Sequence, residues 1–152
     1  MNTMISNPSK GLTGTFRVPG DKSISHRSVM LGSLAEGVTE GSGFLEAEDA
    51  LATLKTFQSM GVKIERPATG CLRVHGVGLH GLKKPSEDLY VGNSGTSMRL
   101  LSGILAGQNF DSVLTGDASL PKRPMRRVLD PLALMGAKVE STEKGTSPLK
   151  IS

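Results

Sequence analysis

Two stretches of this chain are diverged copies of one pattern, and each copy places an arginine just past a glycine turn. The first, GDKSISHR, occupies residues 20–27, and the second, GNSGTSMR, occupies residues 92–99, which is a separation of 72 residues. Each copy later ends on near-identical text, MGVKIE at 60–65 and MGAKVE at 135–140, now 75 residues apart. An internal repeat constrains the architecture before any single motif does, because each copy must form one structural unit that packs on its neighbour.

The pattern of apolar residues predicts the same order of elements in each copy. Alternating polarity indicates strands, and apolar residues three or four apart indicate helices. In the first copy these rules predict strands at 11–18, 38–44, 62–65 and 72–74, and helices at 25–35 and 46–60. In the second copy they predict strands at 88–91, 112–115, 137–141 and 149–151, and helices at 96–106 and 124–135. Since one β-α-β-α-β-β unit cannot bury its sheet face alone, we predict an α+β fold of stacked α/β repeats.

Composition and charge narrow the class of protein. Of the 152 residues, 37% are hydrophobic, and no apolar run approaches the ~18 residues that a membrane span needs. The N-terminal residues lack the basic and apolar regions of a secretory signal, and a single cysteine, Cys71, fits a reducing compartment, so we expect a cytoplasmic protein without a membrane partner. The net charge is +4, but only 3% of residues are aromatic, which disfavours a nucleic-acid partner bound by base stacking.

The first glycine turn has the residues of an anion site. A glycine turn that leads into a helix points backbone N–H groups outward, and the helix dipole favours negative charge there. Lys22 adds a cation, Ser23 and Ser25 add hydroxyls, and Arg27 adds a guanidinium that matches phosphate or carboxylate. An ordinary helix start, with a serine cap and a surface Lys and Arg, is an equally simple interpretation of this motif alone.

Two further loops extend the anion-site hypothesis. Asn93, Gly95 and Thr96 form a small polar loop before a helix, where Gly95 lets a ligand approach the backbone closely, although a plain Asn or Ser cap explains the same residues. Residues 114–125 follow a strand and precede a helix, with Lys122 and Arg123 predicted to lie at that helix N-terminus. Three such loops in one repeat array favour a ligand with several negative charges.

Other titratable residues give weaker signals. Asp49 lies at a loop-to-helix junction and is either an acid/base group or an acid of the first helical turn, where the dipole favours it. The three histidines, His26, His75 and His80, have no metal-ligand spacing, so no metal site is expected.

Three motifs together closely resemble the 5-enolpyruvylshikimate-3-phosphate synthase family. They are PGDKSISHR at residues 19–27, GNSGTSMR at 92–99, and LTGD at 114–117 followed by KRP at 122–124. The resemblance covers essentially the whole chain and implies about two of the six β-α-β-α-β-β units of the enolpyruvyl transferase inside-out barrel. It implies that residues 1–20 carry a strand of the other domain. Residues 21–152 would be a partial N-terminal domain, with units at 21–87 and 88–152.

The same resemblance implies a reaction without a cofactor. In this family the enolpyruvyl group of phosphoenolpyruvate is transferred to the 5-hydroxyl of shikimate 3-phosphate and phosphate leaves, a step of aromatic amino acid biosynthesis that glyphosate inhibits. Matched by position, the residues implied to contact shikimate 3-phosphate are Lys22, Ser23 and Arg27. Those implied to hold phosphoenolpyruvate are Asn93, Gly95, Thr96 and Arg123, together with Lys22. Asp49 is matched as a polar group near the reacting carbons, so Lys22 and Asp49 are the implied catalytic residues.

The resemblance also implies a missing partner. The family's general acid and base on the other domain have no counterpart in this chain, so we expect a fragment that is inactive without the C-terminal part of the same enzyme. A non-catalytic, anion-binding half-domain is the main alternative. A transferase acting on UDP-N-acetylglucosamine is a second, although it would have Lys-Asn in place of Lys22-Ser23 and usually a cysteine in the loop at 121–123.

Overall fold

The protein consists of two similar units that follow one another in the chain. A computed structural model describes residues 3–8 and 10–152. The first unit contains α1 (Lys22–Leu34), β1 (Glu36–Ser42), α2 (Glu48–Ser59), β2 (Lys63–Glu65) and β3 (Cys71–Val77). The second contains β4 (Leu89–Tyr90), α3 (Gly95–Ala106), β5 (Ser112–Thr115), a 3₁₀ turn (Leu120–Lys122), α4 (Arg126–Leu134), β6 (Val139–Glu140) and β7 (Leu149–Ile151). The predicted α+β fold of repeats is confirmed.

Each unit has its own sheet, and the two sheets share one topology except at an edge. The first sheet has the order β1-β3-β2 with antiparallel neighbours only. The second has the order β4-β5-β7-β6, in which β5 pairs antiparallel with β7 and parallel with β4. The strand β4 therefore has no counterpart beside β1 in the described part of the chain.

The strand predicted at residues 11–18 is absent, and that prediction was wrong. Residues 11–20 form no regular element, and Leu12 and Phe16 are 95% and 84% exposed. An alternating sequence becomes a strand only where a neighbouring strand accepts its hydrogen bonds, and residues 11–18 belong to neither of the two sheets in the described part of the chain. Its assignment to another domain stays a prediction, and residues 1, 2 and 9 lie outside the described part.

One hydrophobic core runs through both units. Its buried members include Val29 of α1, Phe57 of α2, Met98 of α3 and Leu114 of β5. Close approach of backbone allows α1 to pack on β3, since a Cβ at Gly76 would lie only 2.2 Å from the carbonyl oxygen of Ala35. The core holds the N-terminal ends of α1, α2 and α3 near one another.

The last helix begins later than the sequence predicts. We predicted a helix from residue 124, but α4 begins at Arg126. The N–H of Met125 donates to the carbonyl of Gly145 at 2.8 Å, and the N–H of Arg123 donates to Leu120 in the preceding 3₁₀ turn. Arg123 therefore does not lie at the α4 N-terminus. It lies in an extended connection between the 3₁₀ turn and α4.

Candidate anion-binding site

The first turn of α1 exposes three of the predicted site residues and buries a fourth. Asp21 caps the helix, and its Oδ1 accepts from the N–H of Ile24 at 2.7 Å. Lys22, Ser23 and Arg27 are exposed. Ser25 is buried and its hydroxyl donates to the Asp21 carbonyl and accepts from Leu45, so the expectation that Ser25 offers its hydroxyl to a ligand was wrong.

Asp49 lies at the start of α2 and forms an ion pair with Lys22. The Asp49 side chain is 8% exposed and the Lys22 side chain is 54% exposed, so an almost buried carboxylate is paired with an ammonium group at the surface. Burial raises the pKa of Asp49, but the hydrogen bond and charge of Lys22 outweigh burial and hold that pKa below its usual 3.8. Asp49 is therefore ionised at neutral pH.

A buried polar network joins the start of α1 to the start of α3. Nδ1 of His26 lies 2.8 Å from Oγ1 of Thr53, which lies 2.5 Å from Oγ of Ser97. Ser97 in turn donates to the hydroxyl of Ser94 at 2.7 Å. The network places the two glycine turns of the repeat next to each other, although 72 residues separate them in sequence.

The second turn is capped by a neutral group. Ser94 is the N-cap of α3, and its Oγ accepts from the N–H of Ser97 at 3.1 Å. Gly95 is the first residue of the helix and is buried, Asn93 is exposed, and Thr96 is half-buried. The dipole of a twelve-residue helix therefore points at this turn without a carboxylate cap.

Three guanidinium groups lie around the second turn. Arg99 donates to the carbonyls of Gly95 at 3.1 Å and Pro124 at 3.2 Å. A Cβ on Gly95 would lie 2.7 Å from Nη1 of Arg99 and 3.0 Å from Nη1 of Arg123. Burial lowers the pKa of Arg99, and the charges of Arg127 and Arg123 lower it further. Among residues 3–8 and 10–152, none of the three arginines forms an ion pair with a carboxylate.

Uncompensated cations at a helix N-terminus can bind an anion. Neighbouring guanidinium groups repel one another, so a negatively charged ligand reduces a repulsion that is already present. A carboxylate or phosphate also matches the planar donors of arginine. The absence of a side chain at Gly95 leaves room for the two Nη1 atoms that lie against it.

The loop after β5 fastens Arg123 to the second turn. The N–H of Asp117 donates to the carbonyl of Gly92 at 3.0 Å. Ser119 donates its hydroxyl and its N–H to the Asp117 carboxylate, and these hydrogen bonds lower the pKa of Asp117. A cavity of about 330 Å³ lies on the α2 side of this loop, between Lys55, Tyr90 and Asn93. Because Lys22, Arg27 and Arg123 do not line this cavity, we place the anion site instead at the two glycine turns, where these three cations lie.

Most of the predicted residues thus fall into two adjacent groups. Lys22 contacts Asp49 beside Ser23 and Arg27, while Gly95 contacts Arg123 beside Asn93 and Thr96. Lys122 does not belong to either group in any contact that the structure shows. Sequence reasoning missed Arg99, Arg127 and His26 as candidates, although the repeat aligns Arg99 with Arg27 and could have indicated the first of them.

Residues 3–8 and 10–152 contain neither a membrane-spanning helix nor a group of potential metal ligands. No helix there is both long and apolar enough to cross a membrane. Nor does that part of the chain gather three or more His, Cys, Asp or Glu side chains where they could hold a metal ion.

The fold and the site define an α+β protein built from repeats, with cations clustered near the N-terminal ends of its helices. The profile of EPSP synthase (3-phosphoshikimate 1-carboxyvinyltransferase) matches residues 6–152. The chain belongs to the EPSP synthase family. Within it, the chain is 68% identical over 147 residues to the 3-phosphoshikimate 1-carboxyvinyltransferase of Methylococcus capsulatus, covering 97% of this chain and 34% of that protein.

Other relatives and a solved structure agree with this assignment. The chain is 64% identical to the enzyme of the same name from Hydrogenovibrio crunogenus, covering 95% of this chain and 32% of that protein. The EPSP synthase structure from Acinetobacter baumannii superposes with a TM-score of 0.88 at 64% identity, over 91% of this chain and 32% of that one. The chain therefore spans about a third of the length of the relatives it matches.

Proposed function

We propose that this chain supplies one wall of a site that transfers the enolpyruvyl group of phosphoenolpyruvate to the 5-hydroxyl of shikimate 3-phosphate, with release of phosphate. The observation that carries the proposal is the pair of adjacent turns, one with Lys22 and Arg27 and the other with Arg123 beside Gly95. Both substrates carry a phosphate and a carboxylate, and two adjacent cationic turns suit two such ligands. The remaining wall belongs to the C-terminal part of the whole enzyme, in the cytoplasm.

The residues divide between the substrates by turn. The first turn, with Lys22, Ser23 and Arg27, binds shikimate 3-phosphate. The second turn, with Asn93, Gly95, Thr96 and Arg123, binds phosphoenolpyruvate, and the dipole of α3 adds to the cationic side chains. Lys22 reaches both ligands from between the turns because its side chain is long and half exposed.

The proposed enolpyruvyl transfer depends on fixed positive charge more than on a cofactor. Protonation of the phosphoenolpyruvate methylene places cationic character on C2, and the 5-hydroxyl oxygen adds there as it loses its proton. The tetrahedral product then expels phosphate while its methyl group loses a proton, which restores the C=C bond of the enolpyruvyl group. Guanidinium groups held before the ligand arrives stabilise the phosphate that gathers charge as its bond to C2 breaks. To the Asp49 carboxylate, which its low pKa keeps ionised, we assign the stabilisation of the cationic C2.

An amide NMR titration of the 152-residue chain tests the ligand assignment. Shikimate 3-phosphate should give saturable shifts centred on Lys22, Ser23 and Arg27, larger than those from inorganic phosphate at equal concentration. Arg27→Ala should abolish them. Arg73→Ala is the matched control, because Arg73 is also an exposed arginine but pairs with Glu40 on the first sheet. Equal responses to both ligands would leave a generic anion-binding half-domain as the function.

A further inference from the structure

His26 is a buried histidine with one ring nitrogen unpartnered. The side chain is fully buried, and its Nε2 has no hydrogen-bond partner among residues 3–8 and 10–152. Oδ2 of Asp49 lies 3.7 Å from Nε2, which is beyond hydrogen-bond length. A buried polar atom without a partner is costly, so this nitrogen calls for an explanation.

The direction of the buried hydroxyl chain places the neutral ring's proton on the other nitrogen. Ser97 donates to Ser94, and the one hydroxyl proton of Thr53 goes to the carbonyl oxygen of Asp49 at 3.2 Å or to Ser97 at 2.5 Å. Thr53 then has no proton left for His26, and Nδ1 of His26 must donate to Thr53. Nε2 is left as a bare lone pair that faces the Asp49 carboxylate.

Lys22 explains why that lone pair is tolerated. Its ammonium neutralises the Asp49 carboxylate, and removal of Lys22 would leave an almost buried charge without a partner. Among residues 3–8 and 10–152, the charged groups that act on His26 are Lys22 and Arg27 from α1 and Asp49 from α2, and α3 presents the hydroxyl of Ser97. Within the same residues, Lys22 is the one cation that now pairs with Asp49.

We propose that His26 is the reserve cation for Asp49: when an anionic ligand draws the Lys22 ammonium away, Nε2 of His26 takes up one proton from solvent and pairs with the carboxylate. His26 is then a positioning residue that acts through Asp49. It keeps Asp49 ionised and in place while Lys22 serves the ligand. The identity of that ligand rests on the proposed function, but the exchange of cations does not.

The balance of charges agrees with this exchange. Burial lowers the pKa of His26, Asp49 raises it, and Lys22 and Arg27 lower it, with a net pKa below 6.5. While Lys22 is in place the ring is neutral at pH 7. Departure of Lys22 removes a repulsion and frees Oδ2 to move the short distance to Nε2, and both changes favour the imidazolium.

Imidazole ¹⁵N–¹H NMR of the free chain tests the exchange without any ligand. The His26 signals are assigned by comparison with His75→Gln and His80→Gln. The neutral wild-type ring should carry its proton on Nδ1. Lys22→Met should raise the His26 pKa by about one unit, the low end of the effect of an opposite charge within ~4–6 Å. Arg27→Met, the matched control, removes one positive charge from the same helix and should give a smaller rise.

Several outcomes would overturn the inference. A neutral ring with its proton on Nε2 contradicts the donor chain, and this measurement needs no variant. A rise in Lys22→Met no larger than in Arg27→Met, or one that persists at full size when Asp49→Asn is added, removes the role of Asp49. Lys22→Gln repeats the test with a polar side chain should the methionine perturb the fold.

Addition of shikimate 3-phosphate to the wild-type chain links the exchange to the proposed ligand. It should raise the His26 pKa as Lys22→Met does. A response in Lys22→Met without a response to shikimate 3-phosphate supports the exchange of cations and counts against the proposed function.

Discussion

The two glycine turns come from one repeated pattern, yet they differ in charge balance. The turn of α1 is capped by the carboxylate of Asp21, and its Lys22 is paired with Asp49. The turn of α3 is capped by the hydroxyl of Ser94 and lies beside Arg99, Arg123 and Arg127, none of which forms an ion pair within residues 3–8 and 10–152. The same backbone motif is therefore balanced in one copy and strongly positive in the other. The local carboxylates, more than the motif itself, set how strongly each turn attracts an anion.

The largest effect is expected from a substitution in the hydrophobic core that the two units share. Leu114 of β5 is fully buried in the core that runs through both units. Leu114→Ala should lower the free energy of unfolding by about 3 kcal/mol, from the lost apolar contacts and the cavity left behind. Urea unfolding followed by NMR should show both sheets losing structure in one transition. Loss of the second sheet alone would mean that the units fold independently.

The next largest effect should separate the turns by affinity. Arg123→Ala removes one guanidinium beside the second turn, and a hydrogen bond to a charged group contributes about 1.5–3 kcal/mol, so affinity for phosphoenolpyruvate should fall roughly tenfold to a hundredfold. NMR titration of the free chain measures it. Shikimate 3-phosphate binding at the first turn should change little, and a comparable loss there would show that the two turns act as one site.

Gly95 and Ser23 occupy equivalent positions in the repeat and offer a matched pair. A Cβ at Gly95 would meet the flexible ends of Arg99 and Arg123, so Gly95→Ala should displace both guanidinium groups and weaken phosphoenolpyruvate binding about tenfold, ~1.4 kcal/mol. Thermal stability should change little, because the atoms that the Cβ would meet are the far ends of flexible side chains and not backbone. Ser23→Ala, at an exposed position, should leave phosphoenolpyruvate binding intact, and equal losses would exclude the displacement of arginines as the cause.

His26 and Met98 are also equivalent positions, and only the first titrates. Because burial lowers the pKa of His26 below 6.5, the unfolded chain binds a proton before the folded chain does as pH falls. The contribution of His26 to the free energy of unfolding should therefore be fully present above pH 6.5 and should decrease as the pH falls below that value. Urea unfolding at several pH values measures this slope. His26→Met should remove the contribution of this residue, and an unchanged slope would assign it elsewhere.

The sequence predicted the elements well because their signals are local. The helix α3 was predicted to within one residue of its start, since a serine cap and apolar periodicity lie within the segment itself. The prediction of a strand at 11–18 was wrong because a strand forms only by pairing with another strand, and the sequence of one segment does not show whether such a strand is available. The contact of Arg123 with Gly95 and that of Thr53 with Ser97 were also beyond reach, because each depends on how two distant segments pack.

The hydrogen bond from Asp117 to Gly92, together with that from Val91 to Thr115, has a consequence for the thermodynamics of binding. These contacts fix the two loops that carry Asn93 and Arg123 to each other and to neighbouring strands. A ligand that docks there meets a preorganised surface and does not have to immobilise either loop. Most of the ordering entropy is thus spent during folding, and binding at the second turn should carry only a small conformational penalty.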